Sequence, residues 1–180
     1  YKDPSQTFTG NVSPSLTATG AILAKFTTAN MYGNADTLNE IQVDFNTSGV
    51  SYKIGIFDAT GPGGAPGNDL YPTSPTLTTN VGTAYVPVPN ILVSGTYYVG
   101  VIQTTTTAVG FRYQSESPIR TNSFYFVSPY TTPITWTDFG AGNNPYRFNV
   151  AAQIFIPVPP NCIIPQSPTS GSVACNSGTT

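Results

Sequence analysis

The carboxylates and amides around a glycine- and proline-rich stretch are the first candidates for chemistry. Asp58, Asn68 and Asp69 lie on either side of residues 61–67, which read GPGGAPG. Hard oxygen ligands on a flexible loop suit Ca²⁺, so these three residues are a candidate metal site. EF-hand and D-x-D spacings are missing, and the alternative is that Asp58 and Asp69 accept Asx hydrogen bonds within turns. The sequence favours this alternative, so we expect no cofactor and keep Ca²⁺ as the candidate ion.

A second group of residues suggests sugar binding. Trp136, Tyr113, Tyr130 and Tyr146 fall in or near predicted loops, and aromatic faces can stack on the apolar faces of sugar rings. Nearby residues that would hydrogen-bond to sugar hydroxyls are Arg112, Asp138, Asn143, Asn144 and Arg147. The alternative is that Trp136 and many tyrosines pack in the core, and the need for large side chains in a domain of this size favours it.

Residues for catalysis are scarce. The chain contains no histidine, which excludes His-based triads and imidazole metal ligands. It contains no G-x-S-x-G elbow and no S-x-x-K spacing. A carboxylate pair for glycoside hydrolysis would have to come from acids that lie mostly at predicted strand ends and in loops, namely Asp44, Asp58, Asp69, Glu116 and Asp138. We therefore expect no catalytic residues and a chain that is not an enzyme. The charged residues Arg112, Glu116 and Arg120 are expected to form solvated surface pairs.

Composition indicates an exported protein. Charged residues make up 8% of the 180 residues, against about 25% in an ordinary soluble domain. The net charge is −2, so no basic surface is expected for nucleic acid. No apolar run is long enough to cross a bilayer, and neither a signal peptide nor an initiator Met is present. We expect a mature or excised fragment of a larger extracellular or cell-surface protein.

The elements that position these residues are predicted to be β-strands. Apolar side chains alternate with polar ones in several runs, and β-branched and aromatic residues dominate them. The predicted strands are residues 20–26, 39–45, 52–57, 84–88, 91–93, 96–103, 108–113, 123–127, 134–138 and 146–156.

The spacing also predicts how these strands pair. Residues 39–45 and 52–57 should form a hairpin, and residues 108–113 should pair back on residues 96–103 as another. The run 96–103 is apolar on both faces and should be central. Pro87 and Pro89 place their strand at a sheet edge or a bend.

Strands at this spacing, with glycine and proline between them, predict an all-β fold. The expected architecture is an antiparallel β-sandwich of jelly-roll type with a proline-rich C-terminal linker. Residues 1–18 are expected to be an N-terminal arm or edge strand, and residues 19–156 the sandwich. Residues 157–180 are expected to be a linker and the start of another β domain.

Several short motifs carry a family resemblance. They are I-F-D at residues 56–58, V-x-V-P, G-T-Y-Y-V-G-V, R-x-N-S-F-Y-F, W-T-D-F and R-F-x-V-x-A. The pattern resembles the jelly-roll or lectin-like modules of large secreted and cell-surface Bacteroidetes proteins. The tail resembles the opening of the fibronectin-III-like or Ig-like repeats that often follow such modules. The resemblance implies an adhesin-like protein exported by the type IX route.

Three kinds of covalent modification are predicted. Cys162 and Cys175 are expected to form a disulfide, worth roughly 3 kcal/mol, because no third cysteine competes; the alternative is two unrelated thiols. Thr37 lies in D-T-L, which resembles the short O-glycosylation signal of exported Bacteroidetes proteins, in a predicted loop. Asn11 and Asn46 begin N-glycosylation sequons.

These observations predict a non-catalytic extracellular module that acts in adhesion or as a structural spacer. Its expected partners are a cell-surface or extracellular glycan or protein and neighbouring β domains of the same chain. The alternative is a carbohydrate-binding module attached to a secreted polysaccharide-degrading enzyme, and the third interpretation is a small glycosidase or lyase domain.

Overall fold

The computed structural model describes residues 6–28 and 35–155, which form two β-sheets. All strand pairs are antiparallel, and the strands are numbered in chain order. The first sheet contains β1 (Gly10–Val12), β3 (Ala35–Phe45), β6 (Gly82–Ser94), β8 (Phe111–Ser115), β11 (Tyr146–Phe148) and β12 (Val150–Phe155). The second sheet contains β2 (Gly20–Thr27), β4 (Ser51–Asp58), β5 (Leu77–Thr78), β7 (Thr96–Gln103), β9 (Phe124–Val127) and β10 (Thr137–Asp138).

The strand order explains which strands are most buried. The second sheet runs β10-β9-β2-β7-β4-β5, so β7 lies centrally between β2 and β4, as predicted for residues 96–103. In the first sheet β3 pairs with β12 and β6, and β8 pairs with β1 and β11. One 3-10 turn, Pro62–Gly64, follows β4. No helix within the described part of the chain is long and apolar enough to cross a membrane.

The hydrophobic core fills the space between the two sheets. Successive side chains of a strand point to opposite faces, so alternate apolar residues line one face. Ile54 and Ile56 of β4 face inward from the second sheet, and Ile41 and Val43 of β3 face them from the first. All four side chains are fully buried. The predicted all-β class and antiparallel β-sandwich are confirmed.

An aromatic contact joins the sheets near one end of the core. The Phe45 ring in β3 lies 4.8 Å, centroid to centroid, from the Tyr52 ring in β4. It also lies 5.4 Å from the ring of Phe111 in β8. Aromatic pairs in such tilted arrangements add to the free energy gained by burial alone. Phe45 therefore links three strands from two sheets.

Both predicted hairpins are wrong, because the chain changes sheets at each predicted turn. β3 lies in the first sheet and β4 in the second, and β7 and β8 are likewise in different sheets. The two connections meet: Asn46 N–H donates to the Gly110 carbonyl at 3.1 Å, and Gly110 N–H donates to Thr47 Oγ1 at 3.0 Å. The strands thus face each other across the core instead of lying side by side.

Strand limits also differ from those predicted at several places. Residues 82–94 form one strand, β6, despite Pro87 and Pro89. Among the described strands β6 pairs with β3, so its predicted edge position is confirmed. The last predicted strand is divided at Asn149, whose side-chain amide donates to Asp44 Oδ2 at 2.9 Å. The predicted strand at residues 134–138 shortens to Thr137–Asp138.

Some predictions fall outside the described residues. Cys162 and Cys175 do so, and so does the expected linker at residues 157–180. The domain limits and the disulfide therefore stay predictions. Of the expected N-terminal arm, residues 10–12 form β1, which pairs with β8 from Gly10↔Tyr113 to Val12↔Phe111.

The central position of Phe45 predicts a large effect on stability. Phe45→Ala should lower the free energy of unfolding by about 3–5 kcal/mol, since it removes a fully buried ring and leaves a cavity. Tyr85→Ala is the matched control, because the Tyr85 side chain in β6 is 63% exposed, and it should cost about 0.5 kcal/mol or less. Urea denaturation measures both values, and equal losses would contradict this account of the core.

Candidate functional site

The outer face of the second sheet carries a second apolar cluster. Leu23, Phe57, Tyr98 and Tyr125 point away from the core, yet each is at most 5% exposed. Two segments cover them. We call residues 59–70 the glycine-rich loop and residues 128–136 the proline segment. The second sheet is therefore apolar on both faces, which is why its outer face supports loops instead of facing solvent.

The glycine-rich loop is held at its base by one carboxylate. Asp58 Oδ1 accepts hydrogen bonds from Thr60 N–H at 3.1 Å, Thr60 Oγ1 at 2.5 Å and Asn68 N–H at 2.8 Å. Asp58 Oδ2 accepts one from Asn68 Nδ2 at 2.9 Å. Partial desolvation raises the pKa of the Asp58 carboxyl, but these hydrogen bonds outweigh it and lower the pKa to about 2.

Glycines let the loop fold back tightly on itself and on the sheet. A Cβ at Gly67 would lie 2.2 Å from Thr60 Oγ1 and 2.5 Å from Asp58 Oδ1, so only glycine fits at this position. At the tip of the loop, the carbonyl of Gly64 accepts a hydrogen bond from the hydroxyl of Tyr98. The loop is thereby fixed both at its base and over the middle of the outer face.

A cleft of about 290 Å³ opens at one end of this face. We call it the Tyr130 cleft. Lys53 belongs to the outward-facing side of β4, and Asp69 lies opposite Phe57 in an antiparallel bridge, so both reach the same face. Other residues that line the Tyr130 cleft include Thr19, Tyr71, Ile102, Thr104 and Tyr130.

The polar groups of the Tyr130 cleft are partly desolvated and close enough to influence one another. Burial raises the pKa of the Asp69 carboxyl, while the hydrogen bond from Tyr71 N–H at 2.8 Å and the charge of Lys53 oppose this rise. Burial and the charge of Asp69 raise the pKa of Tyr130 to about 12, so its hydroxyl stays protonated. The backbone N–H of Tyr130 donates to Thr19 Oγ1 at 3.3 Å, which anchors the proline segment beside β2.

A smaller depression of about 170 Å³ lies beside Trp136. We call it the Trp136 pocket, and it is lined by Pro62, Ala65, Pro66, Ile134, Thr135 and Trp136. The half-buried Trp136 ring packs edge-on against Phe57 with centroids 5.4 Å apart. It lies 6.3 Å from the Tyr130 ring. Trp136 thus packs against the outer cluster, and part of it remains exposed.

The residues predicted for sugar binding do not come together in one place. The rings of Tyr113 and Tyr146 lie 4.5 Å apart on neighbouring strands of the first sheet, away from Trp136. Asn144 donates through Nδ2 to the carbonyl of Phe139 at 3.3 Å, and Asn143 has a positive φ of 60° within the same turn. These residues build an aromatic cluster and the loop beside it.

Asp138, also predicted for sugar binding, stabilises a turn. Its Oδ2 accepts a hydrogen bond from Asn122 N–H at 2.7 Å, and its Oδ1 accepts one from Gly140 N–H at 3.0 Å. Both carboxylate oxygens are therefore used, one to hold the connection before β9 and the other to hold the connection after β10.

Glu116 and Arg120 form a pair as expected, but the expectation that it is solvated is wrong because Glu116 is buried, and Arg112 likewise pairs with a buried acid. Glu116 is 7% exposed and lies between two arginines, with Oε1 2.5 Å from Arg120 Nε and 3.3 Å from Arg147 Nε. Asp44 is 2% exposed and lies 3.4 Å from Arg112 Nη1. The sequence shows each acid near a strand end but does not show that neighbouring strands cover it.

Asp44 has two further polar partners beside Arg112. Its Oδ2 accepts hydrogen bonds from Thr83 Oγ1 and Asn149 Nδ2, both at 2.9 Å. Asp44 thus ties β3 to β6, to β8 and to the break between β11 and β12.

The candidate metal ligands form hydrogen bonds to one another and to the loop. Asp58 and Asn68 are joined directly, and Asp69 accepts from Tyr71 N–H two residues on, which is an Asx hydrogen bond. No cluster of three or more acidic, His or Cys side chains suited to a metal occurs in residues 6–28 and 35–155. The calcium site stays a prediction.

The predicted glycosylation sites occupy different environments. Thr37 lies in β3, where it pairs with Leu92 of β6 and Phe155 of β12, so its predicted position in a loop is wrong. Asn11 lies in β1, and Asn46 lies in the connection after β3. Modification at these residues stays a prediction.

The sequence interpretation missed Lys53, Tyr71, Ile102 and Thr104 of the Tyr130 cleft. One signal was available. Tyr52, Ile54 and Ile56 lie on one side of β4, and Phe57, a large apolar residue, lies on the other. Large apolar residues on both sides of a strand indicate that both faces of the sheet are covered.

Two solved structures with a similar fold are of a clostridial surface-layer-associated protein. A structure of the cysteine protease and lectin-like domains of Cwp84, a surface-layer-associated protein of Clostridium difficile, matches with a TM-score of 0.59 at 15% identity. A structure of clostridial Cwp84 after propeptide cleavage matches with a TM-score of 0.62 at 12% identity. The matches cover 82% and 84% of this chain but 36% and 38% of the Cwp84 chains, where they fall on the lectin-like domain.

The TM-scores establish the fold alone, an antiparallel β-sandwich similar to the lectin-like domain of Cwp84. The chain spans less than two fifths of the Cwp84 chains that it matches. No protein-family model and no curated protein matches the sequence. The expected Bacteroidetes relationship and the type IX export route stay predictions.

The hydrogen bonds around Asp58 predict a pH-dependent effect. Asp58→Ala should lower the free energy of unfolding at pH 7 by about 1 kcal/mol, because the loop base loses its acceptors in a partly exposed site. The folded pKa of about 2 lies below the ordinary value of 3.8, so this contribution is complete above pH 3.8 and is lost as the pH falls through about 2.

Denaturation curves of wild type and Asp58→Ala at pH 7, pH 4 and pH 2 measure this dependence. Glu40→Ala, which removes a carboxylate from β3 on the other sheet, is the control. The role assigned to the carboxylate would be contradicted if the free energies of unfolding of Asp58→Ala and wild type differed by the same amount at pH 7 and at pH 2.

Proposed function

We propose that this chain is a non-catalytic binding module of a bacterial cell-surface or secreted protein, and that it acts in adhesion. The observation that carries the proposal is the open, mixed polar and aromatic surface on the outer face of the second sheet. There, Lys53, Asp69 and Tyr130 converge on the Tyr130 cleft, and Trp136 lies next to it. Concave sites with a few convergent polar groups are the usual form of ligand sites.

The carboxylates support binding over catalysis. Of the five acids that could have formed a hydrolase pair, Asp58 and Asp138 hold turns, and Asp44 and Glu116 are paired with arginines. Asp69 is the one of the five that lines the Tyr130 cleft. A glycosidase needs two carboxyl groups on either side of the bond that it cleaves, so this arrangement favours holding a ligand without cleaving it.

The likeness to the lectin-like domain of a surface-layer-associated protein supports the same proposal. That domain accompanies a protease domain in Cwp84, and this chain covers the lectin-like part alone. The same likeness, together with the aromatic pair Tyr130 and Trp136, favours carbohydrate binding as a second candidate, in a module attached to a polysaccharide-degrading enzyme.

A binding assay combined with a turnover assay tests the proposal. The full chain should be retained in a saturable way on whole cells or on insoluble polysaccharides, and no soluble product should be released. Retention that soluble oligosaccharides compete away indicates the carbohydrate-binding candidate, whereas retention that they leave unchanged indicates protein-directed adhesion. Heat-unfolded chain is the control for non-specific retention. Release of product that Asp69→Asn abolishes would overturn the non-catalytic assignment, and the absence of retention on every surface would favour a spacer.

A further inference from the structure

The glycine-rich loop and the proline segment contribute residues to both the Tyr130 cleft and the Trp136 pocket. The glycine-rich loop contributes Pro62 and Pro66 to the Trp136 pocket and Asp69 to the Tyr130 cleft. The proline segment contributes Trp136 to the Trp136 pocket and Tyr130 to the Tyr130 cleft. The Tyr130 and Trp136 rings lie 6.3 Å apart, so one residue of each depression is a close neighbour of a residue of the other.

We propose that these two depressions form one binding site for a neutral oligosaccharide of at least two sugar rings. The proposal rests on the binding function proposed above and specifies where it takes place and which class of ligand it serves. One ring occupies the Tyr130 cleft and hydrogen-bonds to Asp69 and Lys53. The next ring lies against the exposed part of Trp136.

The lining of the Tyr130 cleft matches the chemistry of a sugar ring. A pyranose has apolar C–H groups on its faces and hydroxyls around its rim. The Asp69 carboxylate accepts hydrogen bonds from such hydroxyls, the Lys53 ammonium donates to them, and the hydroxyls of Thr19 and Thr104 do both. Apolar and aromatic surface from Ile102 and Tyr130 is available for the ring faces.

The charges of the site favour a neutral ligand. Lys53 and Asp69 are opposite in sign and interact electrostatically across the cleft. The residues that line the Trp136 pocket are uncharged. An anionic oligosaccharide would meet the Asp69 carboxylate within the cleft and a protein of net charge −2 around it, so its binding would be disfavoured.

The sizes of the depressions favour a ligand longer than one ring. The Tyr130 cleft, at about 290 Å³, lies at the lower edge of the range of roughly 300–1,000 Å³ that small-molecule sites occupy, and the Trp136 pocket, at about 170 Å³, lies below it. The two volumes together lie within the range. A single ring would use one depression and leave the other empty. An extended chain would cover both and gain the contact with Trp136.

The single tryptophan of the chain makes the site observable without any substitution. The probes are cello-, manno- and chito-oligosaccharides of one to four rings, with oligogalacturonates as the anionic comparison. In one of the neutral series we expect affinity, measured by calorimetry, to rise at least about tenfold from one ring to three. The emission of Trp136 should shift in a saturable way over the same concentration range. Oligogalacturonates of equal length should bind at least about tenfold more weakly.

Substitutions locate the two parts of the site separately. Trp136→Ala should remove the gain with chain length and leave the affinity for a single ring within about twofold, while Asp69→Asn should weaken every member of the series by about tenfold. Tyr85→Ala is the matched control, because Tyr85 is an exposed aromatic residue on β6 of the other sheet. It should change neither the affinity for a single ring nor the gain in affinity with chain length. Trp136→Ala removes the contact with Phe57 and so carries a risk of unfolding. In that case Trp136→Phe and the emission of Trp136 in the wild type show whether the oligosaccharide contacts this position.

The outcomes separate this proposal from the one on which it rests. Oligosaccharide binding that leaves Trp136 emission unchanged and survives Asp69→Asn places the site elsewhere and overturns the inference. Retention on cells with no binding of any neutral oligosaccharide overturns the inference and leaves the adhesive function in place. The absence of binding to cells, polysaccharides and oligosaccharides alike overturns both.

Discussion

A β-sheet that carries large apolar side chains on both faces has to be covered twice, and this constraint determines the arrangement of the domain. The first sheet covers the inner face of the second sheet, where Ile54, Ile56 and their neighbours are fully buried. The glycine-rich loop and the proline segment cover the outer face, over Phe57 and Tyr98. Because two irregular segments cover less evenly than a packed sheet would, depressions remain between them, and the candidate site lies in these depressions.

Hydrogen bonds at its base and near its tip hold the glycine-rich loop in place over the outer apolar cluster. Asp58 bonds to Thr60 and Asn68 at the base, and Tyr98 reaches the Gly64 carbonyl near the tip. The acids elsewhere play a similar part, since Asp138 holds two turns and Asp44 joins several strands through Arg112 and its other partners. In a protein with few charges, most of the acidic side chains considered for chemistry are used to order irregular segments and strand ends. The ligand surface is left mainly to aromatic and hydroxyl groups, with Lys53 and Asp69 as the charged pair.

Local patterns in the sequence were sufficient for the strands and the fold class but not for strand pairing. Period-two alternation places Ile41 and Val43 on one face of β3, and it does so whether β4 lies beside β3 or across the core, so both predicted hairpins failed where the chain changed sheets. Residue type alone identified Asp69, Tyr130 and Trp136 as candidates. It did not identify Lys53 as their neighbour, because Lys53 joins them only when the loop returns to pair Asp69 with Phe57.

The two prolines of β6 bear on how copies of the domain behave when crowded. A strand with a free side offers its backbone N–H groups to any other strand, and proteins commonly block such fusion with lysine. Only 8% of this chain is charged, and β6 contains no lysine. Pro87 and Pro89 have no N–H to offer, so the row of donors is interrupted near the middle of the strand. Copies of the domain at high concentration are therefore protected against edge-to-edge merging of their sheets, and this protection does not depend on salt.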